Sequence, residues 1–402
     1  MNNNNTPIAA VQTHAEHIKK RIASIDIMRG IVMLIMLLDH TRERFMYHNQ
    51  VSNPMDLSDT STEMFFTRTL AHLCAPTFVF LTGLSAWLYS HPANKPYRSP
   101  TSFLVKRGLF LIFIEIALVN YSWLGSYDVL YLQIIWTIGV CMVLLGLLVH
   151  ANYWVIGAVG FGLLFFNRLL DPISFEAHEL GYSLWTILHD GGWLVENGPV
   201  QVRAGGFPVL GWFGVMCLGY FIGPLFSKNA NSDKRQKVLF ISGVAALALI
   251  AFLRGFNIAG EELPWVVGND WLESFKSMIN FSKYPPSLGF MLLTLGFMLL
   301  ILAALERVNN RVSQVVESFG SAPMFFYILH LYVLLVAYAV LEAVFGATKV
   351  KDFGWNQGMY YGFDSVGQIW LATTILAVLL YFPTKAFSDY KKRTTVWWVK
   401  YL

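Results

Sequence analysis

The chain alternates long apolar runs with short polar breaks. Runs of membrane-crossing length fall at about 25–43, 69–90, 103–122, 128–149, 152–168, 207–226, 238–256, 286–306, 318–345 and 367–387. About 20 apolar residues in a helix cross a hydrocarbon core, so the pattern predicts an all-α, polytopic membrane bundle of about ten transmembrane helices. Only a few residues separate 103–122 from 128–149 and 128–149 from 152–168, which makes each pair an antiparallel hairpin. The runs are apolar nearly all round, so periodicity does not say which face of each helix points inward.

The polar breaks divide the chain further. Residues 1–20 form a polar N-terminal tail, 21–387 the membrane domain and 388–402 a basic C-terminal tail. No apolar core with a small-residue cleavage site follows the polar start, so the first run is expected to be a retained span rather than a signal peptide. An even number of spans puts both termini on one side. Arg29, Arg98, Lys106, Arg107, Arg235, Arg307, Lys391, Lys392 and Arg393 fall on that side, and the positive-inside rule makes it cytoplasmic. The opposite loops, 169–206 and 257–285, are long, aromatic and Gly-rich. Loops of that length usually carry function, so binding is expected on the outer face. Trp185, Trp193, Trp265 and Trp271 there suit either stacking on a sugar or anchoring at the interface.

Composition narrows the class. Of 402 residues 55% are hydrophobic and 13% charged, against about 25% charged in soluble proteins. A disordered chain and a disulfide scaffold are excluded, and an ordinary soluble enzyme nearly so. The net charge of +4 points to no nucleic-acid partner. Cys74, Cys141 and Cys217 lie in apolar runs without CxxC spacing, and no metal site is expected. There is no HExxH, no nucleotide-cradling Gly loop and no GxSxG elbow.

The ionisable residues within spans carry most of the information. Each costs about 2.5–3.5 kcal/mol at a helix centre unless it faces a partner or a watery cavity. Asp26 and Arg29 are three apart on one helix face, as a structural pair or as a grip on a charged ligand. The same span ends in Asp39-His40-Thr41-Arg42, the next loop holds His48, and the second span opens with Arg68 and His72. Three histidines and an aspartate are thus expected to converge near the outer leaflet. Imidazole titrates near neutral pH and serves as proton acceptor and donor. His330 lies deep in the ninth run and needs a partner from another helix, as do Glu115, Asn120 and Gln133.

Several segments carry a family resemblance. They are Arg21-Ile22-Ala23-Ser24-Ile25-Asp26-Ile27-Met28-Arg29-Gly30, Leu38-Asp39-His40-Thr41-Arg42 and His72-Leu73-Cys74-Ala75-Pro76-Thr77-Phe78. Lys283-Tyr284-Pro285-Pro286-Ser287, Phe319-Gly320-Ser321-Ala322-Pro323 and Phe326-Tyr327-Ile328-Leu329-His330 follow later. The set resembles bacterial members of the heparan-α-glucosaminide N-acetyltransferase catalytic-domain family. The resemblance implies a transmembrane acyltransferase that moves an acetyl group from cytosolic acetyl-CoA to an amino sugar or other glycan beyond the membrane, here a bacterial inner membrane. It also implies an essential histidine near the outer end of the first span, and this chain offers His40 and His48. His40 stands where the family's lysosomal member has Asn, so which of them is the base stays open.

On this reading His40, oriented by Asp39, could be the base, with His48 and His72 as further catalytic candidates. Arg42, Arg68 and His330 contact substrate or a developing oxyanion, and Arg29, Arg98, Lys106 and Arg107 hold the CoA moiety. The expected partners are the bilayer and the acceptor glycan, and self-association into a homo-oligomer is left open. Buried His and Asp also build proton pathways, so a proton-coupled transporter is the competing expectation. No inverted repeat or matched pair of broken spans supports it.

Overall fold

The computed structural model describes residues 6–402 apart from 229, 259, 354, 355 and 397. The Asn run at the start of the predicted tail lies outside the described residues.

The apolar runs fold as helices wherever capping residues and prolines allow. In chain order these are α1 (Thr6–Phe45), α2 (Thr62–Ala71), α3 (Cys74–Ser90), α4 (Thr101–Ile114), α5 (Asn120–Leu124), α6 (Ile134–Leu148) and α7 (Tyr153–Phe166). A short α8 (Tyr182–Trp185) lies in the first long loop, followed by α9 (Val209–Phe221) and α10 (Ser232–Gly255). Then come α11 (Trp271–Ile279), α12 (Leu288–Leu305), α13 (Arg311–Ser321), α14 (Pro323–Phe345) and α15 (Val366–Arg393). Side-chain oxygens start several of them. Ser287 accepts from the Phe290 N–H at the head of α12, and Asn310 and Ser365 form capping boxes for α13 and α15.

Among the described residues, six helical stretches are long and apolar enough to cross a membrane: Thr62–Ser90, Tyr153–Leu170, Ser232–Gly255, Leu288–Leu305, Pro323–Phe345 and Val366–Arg393. Ile134–Leu148 and Val209–Phe221 are apolar but shorter.

The predicted runs differ from the structure in several places, among them 69–90, which is broken at His72–Leu73 between α2 and α3. The run 128–149 starts as a strand, Val129–Leu132, and only Ile134 onward is helical. The run 318–345 is two helices, because Pro323 forces Ala322 out of helical geometry, at φ −130° and ψ 55°. The run 103–122 is interrupted by a π-helical turn, Glu115–Val119, where the Asn120 side chain donates to the Glu115 carbonyl at 3.0 Å.

The loops also carry sheet, which an all-α expectation omits. Strands β1 (Val129–Leu132), β2 (Gly192–Val195) and β3 (Gln201–Ala204) make a small sheet in the order β1-β3-β2. Tyr131 pairs in parallel with Arg203, which faces Trp193 across the antiparallel side. A hairpin of β4 (Lys349–Phe353) and β5 (Asn356–Tyr360) pairs Lys349 with Tyr360. Four-residue strands are too short to stand out from the apolar runs and loops around them. The strands mark one end of the bundle as the loop end. The opposite end, where Arg29, Arg235 and Lys391 lie, is the basic end.

Helix α1 is the hub, packing against α2, α3, α12, α13, α14 and α15. It crosses α13 at Gly30 and Gly320. A Cβ on Gly30 would run into the Val316 carbonyl, and one on Gly320 into the Asp26 carbonyl, so the two backbones touch directly. At the basic end the buried Glu306 accepts from Arg235 Nε at 3.0 Å and from Ser24 Oγ at 2.9 Å, tying α1 and α10 to the end of α12.

Candidate functional site

The last turns of α1 bring Asp39, His40, Arg42, Glu43 and Arg44 to the loop end of the bundle. Arg44 donates to the Ser122 and Trp123 carbonyls and so fixes the end of α5 against α1. That contact places the Trp123 indole edge-on to the His40 ring, 5.2 Å between centroids.

His40 Nδ1 lies 2.8 Å from Nε2 of His330 on α14. His330 Nδ1 lies 2.8 Å from the Phe326 carbonyl. A carbonyl only accepts, so Nδ1 of His330 carries a proton. Neutral His330 then offers a bare Nε2, and Nδ1 of His40 must be the donor. The chain of bonds leaves neutral His40 with its lone pair on Nε2. Among the described residues no hydrogen bond reaches that nitrogen, and His40 lines a cavity. An imidazole oriented in this way can accept a proton from a group in the cavity.

Asp39 was expected to orient His40, and the geometry assigns that part to His330. Successive residues on a helix point about 100° apart, and Asp39, although it lines the same cavity, is held by two arginines rather than by His40. Its carboxylate accepts from Arg42 Nε at 3.0 Å and Nη2 at 2.9 Å, and from Arg68 Nη1 at 3.1 Å. Glu43 adds a second carboxylate, 3.2 Å from Arg42 and 3.5 Å from Arg68. Arg42 and Arg68 are thus committed to an ion-pair cluster between α1 and α2.

The cavity at His40 has a volume of about 160 Å³ and is walled by Met33, Met36 and Cys74 as well as by Lys283, Tyr284 and Tyr327. A second cavity of about 540 Å³ opens at the basic end, with Arg29, Lys228 and Lys391 in its wall. The two share Phe78, Thr82, Arg107 and Pro323 as lining residues, so they adjoin at one neck. The two cavities thus follow one another along α1, with Arg29 in the wall of one and His40 in the wall of the other.

The predicted residues divide accordingly. Arg29 lies in the basic cavity, 2.6 Å from Asp26 and bonded to Ser85. Arg107 stands at the neck. Arg98 stacks over the Tyr89 ring at 3.6 Å and donates to the Tyr89 carbonyl, and Lys106 is exposed to one side. His72 is buried edge-on to Phe290, 5.3 Å between centroids, outside the cavity lining. His48 lies under the hairpin. Its N–H donates to Tyr360 Oη at 2.8 Å, and its Nδ1 is 2.5 Å from the same oxygen. In the tautomer with Nδ1 bare, the hydroxyl gives its own proton to that nitrogen. Burial and then the Lys349 ammonium hold the pKa of His48 below its ordinary value, in keeping with that neutral ring.

Sequence reasoning passed over Lys283, Tyr284, Glu43 and Tyr327 as cavity residues. Glu43 and Tyr327 sit one helical turn from His40 and from His330 respectively, a spacing that could have found them. Lys283 precedes two prolines in a loop, and no periodicity points to it.

A family model described as heparan-alpha-glucosaminide N-acetyltransferase, catalytic, matches residues 21–254, more than half of the chain. No individual curated protein matches it. The matched segment includes His40, Arg107 and most of the walls of both cavities, whereas Lys283 and His330 lie beyond it.

Proposed function

Because the chain belongs to the heparan-alpha-glucosaminide N-acetyltransferase catalytic family, we propose that it acetylates an amino sugar or other glycan acceptor on the outer side of a bacterial inner membrane, using acetyl-CoA from the cytoplasm. Such a reaction brings a donor from one side to an acceptor on the other. The observation that carries the reading is the neck at Thr82 and Arg107, where a cation-lined cavity adjoins the one that holds His40.

Arg29, Lys228 and Lys391 suit the phosphates of CoA, because multiple cations at a partly desolvated site favour multiply charged anions. The thioester arm would pass Phe78 and Thr82 and lie along Met33 and Met36. Nε2 of His40 takes the proton of the acceptor amine or hydroxyl as its nitrogen or oxygen bonds to the acetyl carbon. The tetrahedral adduct collapses, the C–S bond breaks, and the CoA sulfur leaves with the proton from His40. His330 steadies the imidazolium through its bare Nε2.

The test is release of CoA thiol from acetyl-CoA by the purified full-length protein in nanodiscs, with glucosamine as probe acceptor. The expected result is release by the wild type and a loss of about 10²–10⁴-fold in His40→Gln. Equal rates in the two would remove His40 from the reaction. Glucosamine flux through proteoliposomes with no acyl donor present would instead favour a transporter.

A further inference from the structure

We infer that Lys283 is the cation that holds the acyl carbonyl oxygen while His40 takes the acceptor proton. The inference rests on the acetyltransferase reading and adds the electrophilic half of the site.

Lys283 lies in the extended link between α11 and α12, and its backbone is pinned. Its N–H donates to Asn53 Oδ1 at 2.8 Å, the Asn53 amide donates to the Tyr284 carbonyl at 3.1 Å, and Lys283 forms a bridge with Pro286. Its side chain has no such anchor. The residue is 5% exposed and lines the same cavity as His40. Nζ lies 4.9 Å from the centroid of the Tyr284 ring, and among the described residues no hydrogen bond or ion pair reaches it.

Apart from Lys276, which reaches the Thr62 hydroxyl at 3.5 Å, the other buried cations of the bundle are arginines, and they behave differently. Arg42 and Arg68 share Asp39. Arg44 has the Ser122 and Trp123 carbonyls, Arg235 has Glu306, and Arg254 has the carbonyls of Leu263, Ser277 and Asn280. A buried ammonium with three donors needs acceptors. The Tyr284 ring satisfies one face. The carboxylates that share its cavity, Asp39 and Glu43, are already bound by the two arginines. What is left for Lys283 to face is the contents of the cavity.

An acyl thioester supplies a matching acceptor. Its carbonyl oxygen is weakly basic in the ground state and becomes an anion in the tetrahedral adduct, so a fixed ammonium favours the adduct over the substrate. The acceptor bonds to carbon, its proton goes to His40, and the C–S electron pair leaves on sulfur. Lys283 keeps its three protons throughout and moves none.

The experiment uses the full-length protein in nanodiscs with [1-¹³C]acetyl-CoA and reads the thioester carbonyl stretch by difference infrared spectroscopy. The expected result is a shift to lower frequency on binding, absent in Lys283→Met and retained in His40→Gln. Turnover of Lys283→Met should fall about 10²–10³-fold, the usual effect of removing one oxyanion donor, with KM for acetyl-CoA unchanged. The same carbonyl shift in wild type and Lys283→Met overturns the inference and leaves the acetyltransferase reading standing. Failure of the wild type to bind acetyl-CoA overturns both. Should Lys283→Met not fold, Lys283→Arg decides: a band displaced from that of the wild type supports the contact, and an identical band overturns it.

Discussion

His40 and His330, on helices α1 and α14, are joined by a single hydrogen bond of 2.8 Å, and the Phe326 carbonyl behind His330 fixes its direction. The bond orients the His40 ring as a carboxylate could, with no net charge in the neutral state. His330→Phe is therefore expected to leave His40 free to adopt either tautomer. The rate should fall by about 10²-fold, within the usual range for a positioned base, while KM for acetyl-CoA holds. Steady-state kinetics of the purified variant check this, and a changed KM with an unchanged kcat would place His330 in binding instead.

The neck between the cavities offers a steric test. Thr82 lines both of them, and Trp in its place would fill the passage without touching His40. Thr82→Trp is expected to abolish acetyl-CoA turnover while the protein keeps the wild-type unfolding temperature. Normal turnover would show that the donor takes another route.

Arg235 and Glu306 form a pair with side chains 1% and 2% exposed. Removing one partner of a buried pair leaves a charge without compensation and costs about 3–5 kcal/mol. Arg235→Met should destabilise the bundle by that order, and Arg235→Met combined with Glu306→Met should recover much of the loss. Thermal unfolding of the two single variants and the double variant in one detergent measures the coupling.

His48 gives a stability effect that depends on pH. Burial and Lys349 lower its pKa in the folded protein from an ordinary value of 6.5. The unfolded chain therefore takes up this proton first as pH falls. The contribution is complete above about pH 6.5 and is lost progressively below it. His48→Asn keeps an acceptor for the Tyr360 hydroxyl and cannot titrate, so its unfolding temperature should fall less steeply between pH 6.5 and the folded pKa. A slope equal to that of the wild type would show that His48 does not report this proton.

The crossing of α1 and α13 is sensitive to volume. Gly320→Val would drive a side chain into the Asp26 carbonyl, and overpacking of this kind costs about 1–3 kcal/mol. A lower unfolding temperature is expected, and an unchanged one would mean that the helices separate freely.

Much of this architecture was legible in the sequence because lipid-facing helices must be apolar for about 20 residues at a time. The Asp26–Arg29 contact was legible too, since three residues separate them on one helix. The partner of His40 was not. His330 is 290 residues away, and helices that are apolar on every side give no sign of which faces meet. Lys283 was hidden for another reason: its position depends on Asn53, a loop residue 230 positions earlier, and no local pattern encodes that bond. The strands escaped because Val129-Leu130-Tyr131-Leu132 is apolar whether it folds as strand or helix.

Arg29 and His40 ride on one unbroken helix, eleven residues apart, which sets them about 16 Å from each other along its axis at 1.5 Å per residue. With Gly30 seated directly on α13, that distance works as a fixed gauge. A carrier arm would be measured against it: one shortened by a few bonds would leave its cargo stranded before the imidazole, whatever acyl group it bore.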